Sequence, residues 1–210
     1  MALTDKSVAI FLDELASAAP APGGGSVAAL GGALGAALVS MVCNLTVGRK
    51  KYADVEPEVK KLLAQAEALR ADLTRLLDED VAAYTRVSEA MKMPRDTEEQ
   101  KAARQETLQA ALKQATDVPM RIADACAQVI ELCGPAADMG NVNAVSDAGV
   151  AALVAEAALR SAALNVMINL GWIEDHDFAA EQLAKLSDLL AGKSDTKEAV
   201  YQLVVSKLKC

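Results

Sequence analysis

Between Ala16 and Gly48 the chain carries no charge, and nearly half of that run is alanine and glycine. A segment of this kind has two homes. It is long enough to cross a bilayer, where Gly31 and Gly35 would form the GxxxG pair that joins helices in lipid. Its composition favours the second home, the inside of a soluble helical bundle. Ser40, Asn44 and Thr46 sit near one end, and the same glycines let a neighbour pack against bare backbone. Hydrophobic residues make up 52% of the chain but aromatics only 3%, so the core is predicted to be Ala, Leu and Val. Small side chains bring helix axes close together, which suits helix-on-helix packing.

Near its start the run contains Ala21-Pro22-Gly23-Gly24-Gly25-Ser26. Three glycines without Cβ allow a sharp turn and the close approach of another group. Ser26 is predicted to cap a helix reaching about Thr46, and a glycine loop feeding a helix start presents unpaired N–H groups. The plainer alternative is a tight turn ahead of a core helix.

Helical spacing dominates elsewhere, with no alternating strand pattern of useful length. A first amphipathic helix is predicted over 5–18, with Val8, Phe11, Leu12 and Leu15 on one side. Pro57 opens a long helix to about Met91, and Met93-Pro94-Arg95-Asp96 breaks it. Thr97 with Gln100 resembles a capping box and begins the next. Pro119 splits that segment into 98–117 and 119–133, kinked or interrupted, before Gly134-Pro135 stops it. After a loop through Gly140-Asn141-Val142-Asn143, Ser146-Asp147 caps a second mostly uncharged helix to about Leu170. Two charged helices over 177–191 and 195–208 follow, separated by Gly192 as a C-terminal stop. The predicted fold is all-α: an antiparallel multi-helix bundle in one domain, 1–210, with two buried, small-residue-rich helices (26–46 and 147–170) at its centre.

One acid stands out against this pattern. Leu62, Ala66, Leu69, Leu73 and Leu76 form an apolar seam in heptad register, and its next position is Asp80, followed by Ala83 and Val87. A carboxylate there faces the interior or an interface, where burial raises its pKa toward the range useful for a base. The competing explanations are a lysine partner, a capping role, or a bend that swings it outward. Asn165 and Asn169, spaced i,i+4 on an otherwise apolar helix, are buried amides that need partners in the fold or in a ligand.

Several chemistries are disfavoured. With 21 basic and 29 acidic residues, net −8, no basic face for nucleic acid is expected, and a cationic ligand is mildly favoured. Cys43, Cys126, Cys133 and Cys210 lack paired metal spacing; Cys126 and Cys133 fall on one helix face as small apolar residues. His176, alone between Asp175 and Asp177, offers neither a zinc site nor a Ser-His-Asp triad. With no dinucleotide fingerprint, no metal or cofactor is expected beyond a substrate. The first residues lack signal-peptide order, so a cytoplasmic location with reduced thiols is expected.

With these positions in view, the chain resembles the cyclodeaminase/cyclohydrolase family of folate enzymes nearly end to end. The resemblance is carried by Pro22-Gly23-Gly24-Gly25-Ser26-Val27-Ala28-Ala29, Ser40-Met41-Val42 and Gly48-Arg49-Lys50-Lys51-Tyr52. It continues through Asp78-Glu79-Asp80, Ala83-Tyr84, Pro94, Lys101, Arg104 and Val118-Pro119, then Gly140-Asn141, Ser146-Asp147, Asn165-Val166 and Ile168-Asn169-Leu170. It implies an all-helical homodimer with active sites at or near the subunit interface. One branch closes 5-formiminotetrahydrofolate to the 5,10-methenyl form with release of ammonia, usually fused to a formiminotransferase domain. The other comprises stand-alone methenyltetrahydrofolate cyclohydrolases of one-carbon metabolism, including the serine cycle. With no room for a transferase domain, this chain looks closer to the second, whose reaction reversibly hydrolyses 5,10-methenyltetrahydrofolate to 10-formyltetrahydrofolate. A non-catalytic helical folate-binding dimer remains the third possibility.

The resemblance assigns expected roles. Asp80 is the candidate base for the attacking water, and its charge suits a cationic amidinium. Asp147 either holds the pterin's amino edge, tunes Asp80, or merely complements a helix dipole. Gly23, Gly24, Gly25 and Ser26 lie against the pterin, with Tyr84, Asn141 and Asn165 as further substrate contacts. Arg49, Lys50 and Lys51 clamp the glutamate tail, with Arg104 in reserve, or simply complement a helix C-terminus.

Overall fold

The computed structural model describes residues 3–208, and every regular element among them is helical. The seven α-helices are α1 Val8–Leu15, α2 Gly24–Asn44, α3 Glu56–Met91, α4 Glu98–Met139, α5 Val145–Leu170, α6 His176–Leu190 and α7 Lys193–Lys207. Short 3₁₀ turns at Leu3–Asp5, Lys50–Tyr52 and Val142–Ala144 lie before or between them.

Helix α2 lies among α3, α4 and α5. Its glycines let these neighbours approach: a Cβ on Gly32 would lie 2.6 Å from Cys126 Sγ, and one on Gly35 would lie 3.2 Å from the Ala151 carbonyl. Helix α5 runs antiparallel to α2. Asn165, near the end of α5, lies against Gly24, whereas Asn141, just ahead of α5, bonds the Leu45 carbonyl at the other end of α2. Both α2 and the 142–170 segment are long and apolar enough to cross a membrane, yet each buries one side in this bundle. Their other sides carry exposed Val27, Leu34 and Met41 on α2 and Leu164 and Ile168 on α5.

Several boundaries depart from the predicted ones, each for a local reason. Helix α1 starts at Val8 because the Ser7 side chain accepts from the Ile10 N–H. Helix α2 starts at Gly24, so Ser26 lies inside its first turn and does not cap it. The capping box of Thr97 and Gln100 opens α4, which then continues through Pro119 and Gly134-Pro135 to Met139. A proline removes one helix hydrogen bond at a cost of about 3 kcal/mol. Burial of Val118, Pro119, Ile122, Val129, Ile130 and Cys133 along the same helix outweighs it. Ser146 and Asp147 lie within the first turn of α5; Asn141 caps the preceding 3₁₀ turn by accepting from the Asn143 N–H.

Candidate active site

A cleft of about 320 Å³ opens where the start of α2 meets α3, α4 and the end of α5. The seam of α3 delivers Asp80 to it. Leu73, Leu76, Ala83 and Val87 on the same stripe are buried, so Asp80 is turned the same way, between apolar neighbours. Ser26, fully buried in the first turn of α2, donates its hydroxyl to Asp80 Oδ2 at 2.8 Å. Burial pushes the Asp80 carboxyl above the ordinary carboxylate range, while the Ser26 hydroxyl and backbone N–H pull it partly back.

The triple glycine acts here through space rather than through unusual dihedral angles; left-handed glycines occur among the described residues only at Gly48 and Gly192. A Cβ on Gly25 would sit 2.0 Å from Asp80 Oδ1, and one on Gly24 would press to 3.3 Å from the Asn165 amide. Absent side chains therefore make the seats for the acid and the asparagine. On α5, Asn165 Nδ2 donates to the Ser161 carbonyl at 2.8 Å. Asn169 Nδ2 crosses to α4 and donates to the Ala115 carbonyl, also at 2.8 Å. Tyr84 and Trp172, 43% and 62% exposed, stand in the cleft wall with Met91. Chemically, the cleft offers a carboxylate, amide oxygens, the first-turn N–H groups of α2, and flat apolar walls.

The family described as formiminotransferase-cyclodeaminase matches residues 7–188. This chain belongs to that family. Among its members, a methenyltetrahydrofolate cyclohydrolase of Methylorubrum extorquens is 50% identical over 204 residues, covering 97% of this chain and 98% of the relative. The formimidoyltransferase-cyclodeaminase of Mus musculus is 38% identical over 90% of this chain, which spans only 35% of that protein. A crystal structure of formiminotetrahydrofolate cyclodeaminase from Thermotoga maritima superimposes with a TM-score of 0.83 at 33% identity, covering 98% and 97% of the two chains.

In this family member, the residues singled out from sequence fall into two groups. Gly23, Gly24, Gly25, Asp80, Tyr84 and Asn165 line the one cleft, with Ser26 behind Asp80. Arg104 is near its outer end, donating through Nε to the carbonyl of Met91. Arg49, Lys50, Lys51 and Asn141 lie beyond the opposite end of α2, about 28 Å away by helical rise. There Asn141 has structural work: its backbone N–H meets Thr46 Oγ1, its Nδ2 the Leu45 carbonyl, and the Val142 N–H meets the Tyr52 hydroxyl. Asp147 is in the first turn of α5, roughly 27 Å of helix from Asn165. A single chain does not bring the two groups together, because α2 and α5 are antiparallel rods that hold them apart.

Trp172 and the role of Pro119 escaped the sequence pattern. Trp172 follows the last turn of α5, where periodicity ends, and its signal is simply that it is the only tryptophan. Cys43, Cys126 and Cys133 are free and buried; burial pushes their thiols up to about 11, 12 and 12, which suits packing rather than reactivity. Cys210 lies outside the described residues. His176 opens α6 on the surface, and no group of three or more potential metal ligands occurs among the described residues.

Proposed function

We propose that this protein is a methenyltetrahydrofolate cyclohydrolase, interconverting 5,10-methenyltetrahydrofolate and 10-formyltetrahydrofolate. The observation that carries the proposal is end-to-end 50% identity with an enzyme of that name, joined to an inward carboxylate in a cleft of suitable chemistry. The substrate's one-carbon bridge is a cationic amidinium. Asp80 takes a proton from water as the water oxygen bonds the bridging carbon. In the resulting tetrahedral intermediate, the hydroxyl proton passes to N5 as the carbon–N5 bond breaks, and one proton is released overall. The same carboxylate attracts the cationic substrate.

Formiminotetrahydrofolate cyclodeaminase is the second reading. The Thermotoga maritima chain of that name is matched over 97% of its length, so single-domain size does not separate the two activities. Purified protein should accelerate loss of the near-ultraviolet band of 5,10-methenyltetrahydrofolate. No acceleration, with ammonia released from formiminotetrahydrofolate instead, would favour the second reading.

The functional unit in this proposal is a homodimer. Val27, Leu34 and Met41 recur every seven residues on the outer side of α2, a stripe too apolar to leave in water. A twofold axis crossing α2 near Leu34 would carry Arg49 of the partner subunit and Lys50 of the partner subunit toward this cleft, where a glutamate tail needs cations. The proposal places the protein in the cytoplasm. It calls on no metal or cofactor beyond the folate, and on no nucleic acid or membrane.

A further inference from the structure

Pro119 lines the cleft from the middle of α4. Having no N–H, it cannot bond the carbonyl four residues earlier, which belongs to Ala115, another cleft residue. That carbonyl is met instead by Asn169 Nδ2 from α5 at 2.8 Å. A carbonyl only accepts, so the bond settles which way the Asn169 amide faces: its NH₂ is committed to α4 and its Oδ1 is left as an acceptor. Oδ1 has no protein hydrogen bond among the described residues and is not among the sealed, unpartnered side-chain atoms, of which Ser40 Oγ is the only one. Asn165, one turn earlier, is oriented in the same way by the Ser161 carbonyl. The wall formed by α5 therefore presents acceptors, and it suits a ligand edge made of N–H donors.

The pterin of a tetrahydrofolate has such an edge in its 2-amino group and ring N–H. Resting on the cyclohydrolase reading, we infer that Asn169 is a specificity-determining residue that accepts a hydrogen bond from the 2-amino group, and that Pro119 is the positioning residue that aims it. The helix defect is thus the device that turns an ordinary asparagine into a fixed acceptor.

The test compares 5,10-methenyltetrahydrofolate with its analogue bearing hydrogen in place of the 2-amino group. Asn169→Ala should raise KM for the natural substrate about tenfold with kcat within about twofold, the loss of one hydrogen bond. Preference for the natural substrate over the analogue should fall by a similar factor. Pro119→Ala returns an N–H to the Ala115 carbonyl and releases the Asn169 amide. It should keep a folded helical protein and lower the same preference ratio by about three- to fivefold. A ratio unchanged in both variants, or KM rising equally for both compounds, overturns the inference. If the wild type does not hydrolyse the substrate, the same ratio is read from binding of tetrahydrofolate and its 2-deamino analogue by Trp172 fluorescence. Failure of the reaction assignment is thereby kept distinct from failure of this one.

Discussion

Gly25→Ala tests the contact on which the site is built. The added methyl would lie 2.0 Å from Asp80 Oδ1 and 2.6 Å from its Cγ, so reaching ordinary contact near 3.4 Å requires the carboxylate to retreat by about 1.4 Å. That movement pulls Oδ2 off the Ser26 hydroxyl, now 2.8 Å away. Overpacking costs about 1–3 kcal/mol, and a buried hydroxyl left without its acceptor a similar amount. Alanine's better helix propensity returns about 1 kcal/mol. The expected net loss is about 1–5 kcal/mol in urea unfolding, with kcat down about 10²-fold, the consequence of misplacing a reacting group by an ångström. A double-mutant cycle isolates the cause. In an Asp80→Ala background the carboxylate is gone, so Gly25→Ala should be neutral or stabilising. If Gly25→Ala destabilises equally in both backgrounds, or leaves kcat at the wild-type value, the close approach does not govern the site.

Asp80→Asn should cut turnover by about 10²–10⁴-fold while retaining the helical circular dichroism spectrum and folate binding; unchanged turnover rejects Asp80 as base. Because burial raises the folded-state pKa of Asp80, kcat/KM should fall as pH drops through a value above the ordinary carboxylate range. The folded state binds the extra proton, so this group's contribution is present below the unfolded-state pKa and is lost as pH rises through the raised one. Wild type should therefore lose stability relative to Asp80→Asn across that window, as measured by denaturant titration at successive pH values. Leu34→Glu, placing a charge on a residue 53% exposed in one chain, should give monomers by sedimentation with activity greatly reduced; an active monomer refutes the dimeric site. Folate binding should quench the fluorescence of Trp172, the sole tryptophan, and a saturable quench absent from Trp172→Phe is the check.

Periodicity carried the sequence reading a long way where each residue's environment repeats along one helix. The α3 seam was legible through Asp80 because steps of three and four keep one face inward whatever packs against it. The capping box at Thr97 was equally local, its bonds spanning three residues. The breaker rule failed at Pro119 because a proline's cost is set by whether something else satisfies the freed carbonyl, and the answer, Asn169, is 54 positions from Ala115. The same limit explains the misplaced caps: Ser146 and Asp147 have the right chemistry, but Asn141 serves the preceding turn while tied to α2.

By itself the amino-acid order determined an all-helical chain, an acid turned inward, and a glycine run with no side chains to obstruct a neighbour. These follow from short-range geometry, the 3.6-residue turn and the missing Cβ. Tertiary structure alone decided that the glycine run's neighbour is Asp80, that Asn169 bonds the Ala115 carbonyl that Pro119 leaves free, and that Asn141 is tied to the far end of α2. Those are contacts between distant segments, set by how antiparallel rods pack, and no local pattern encodes them.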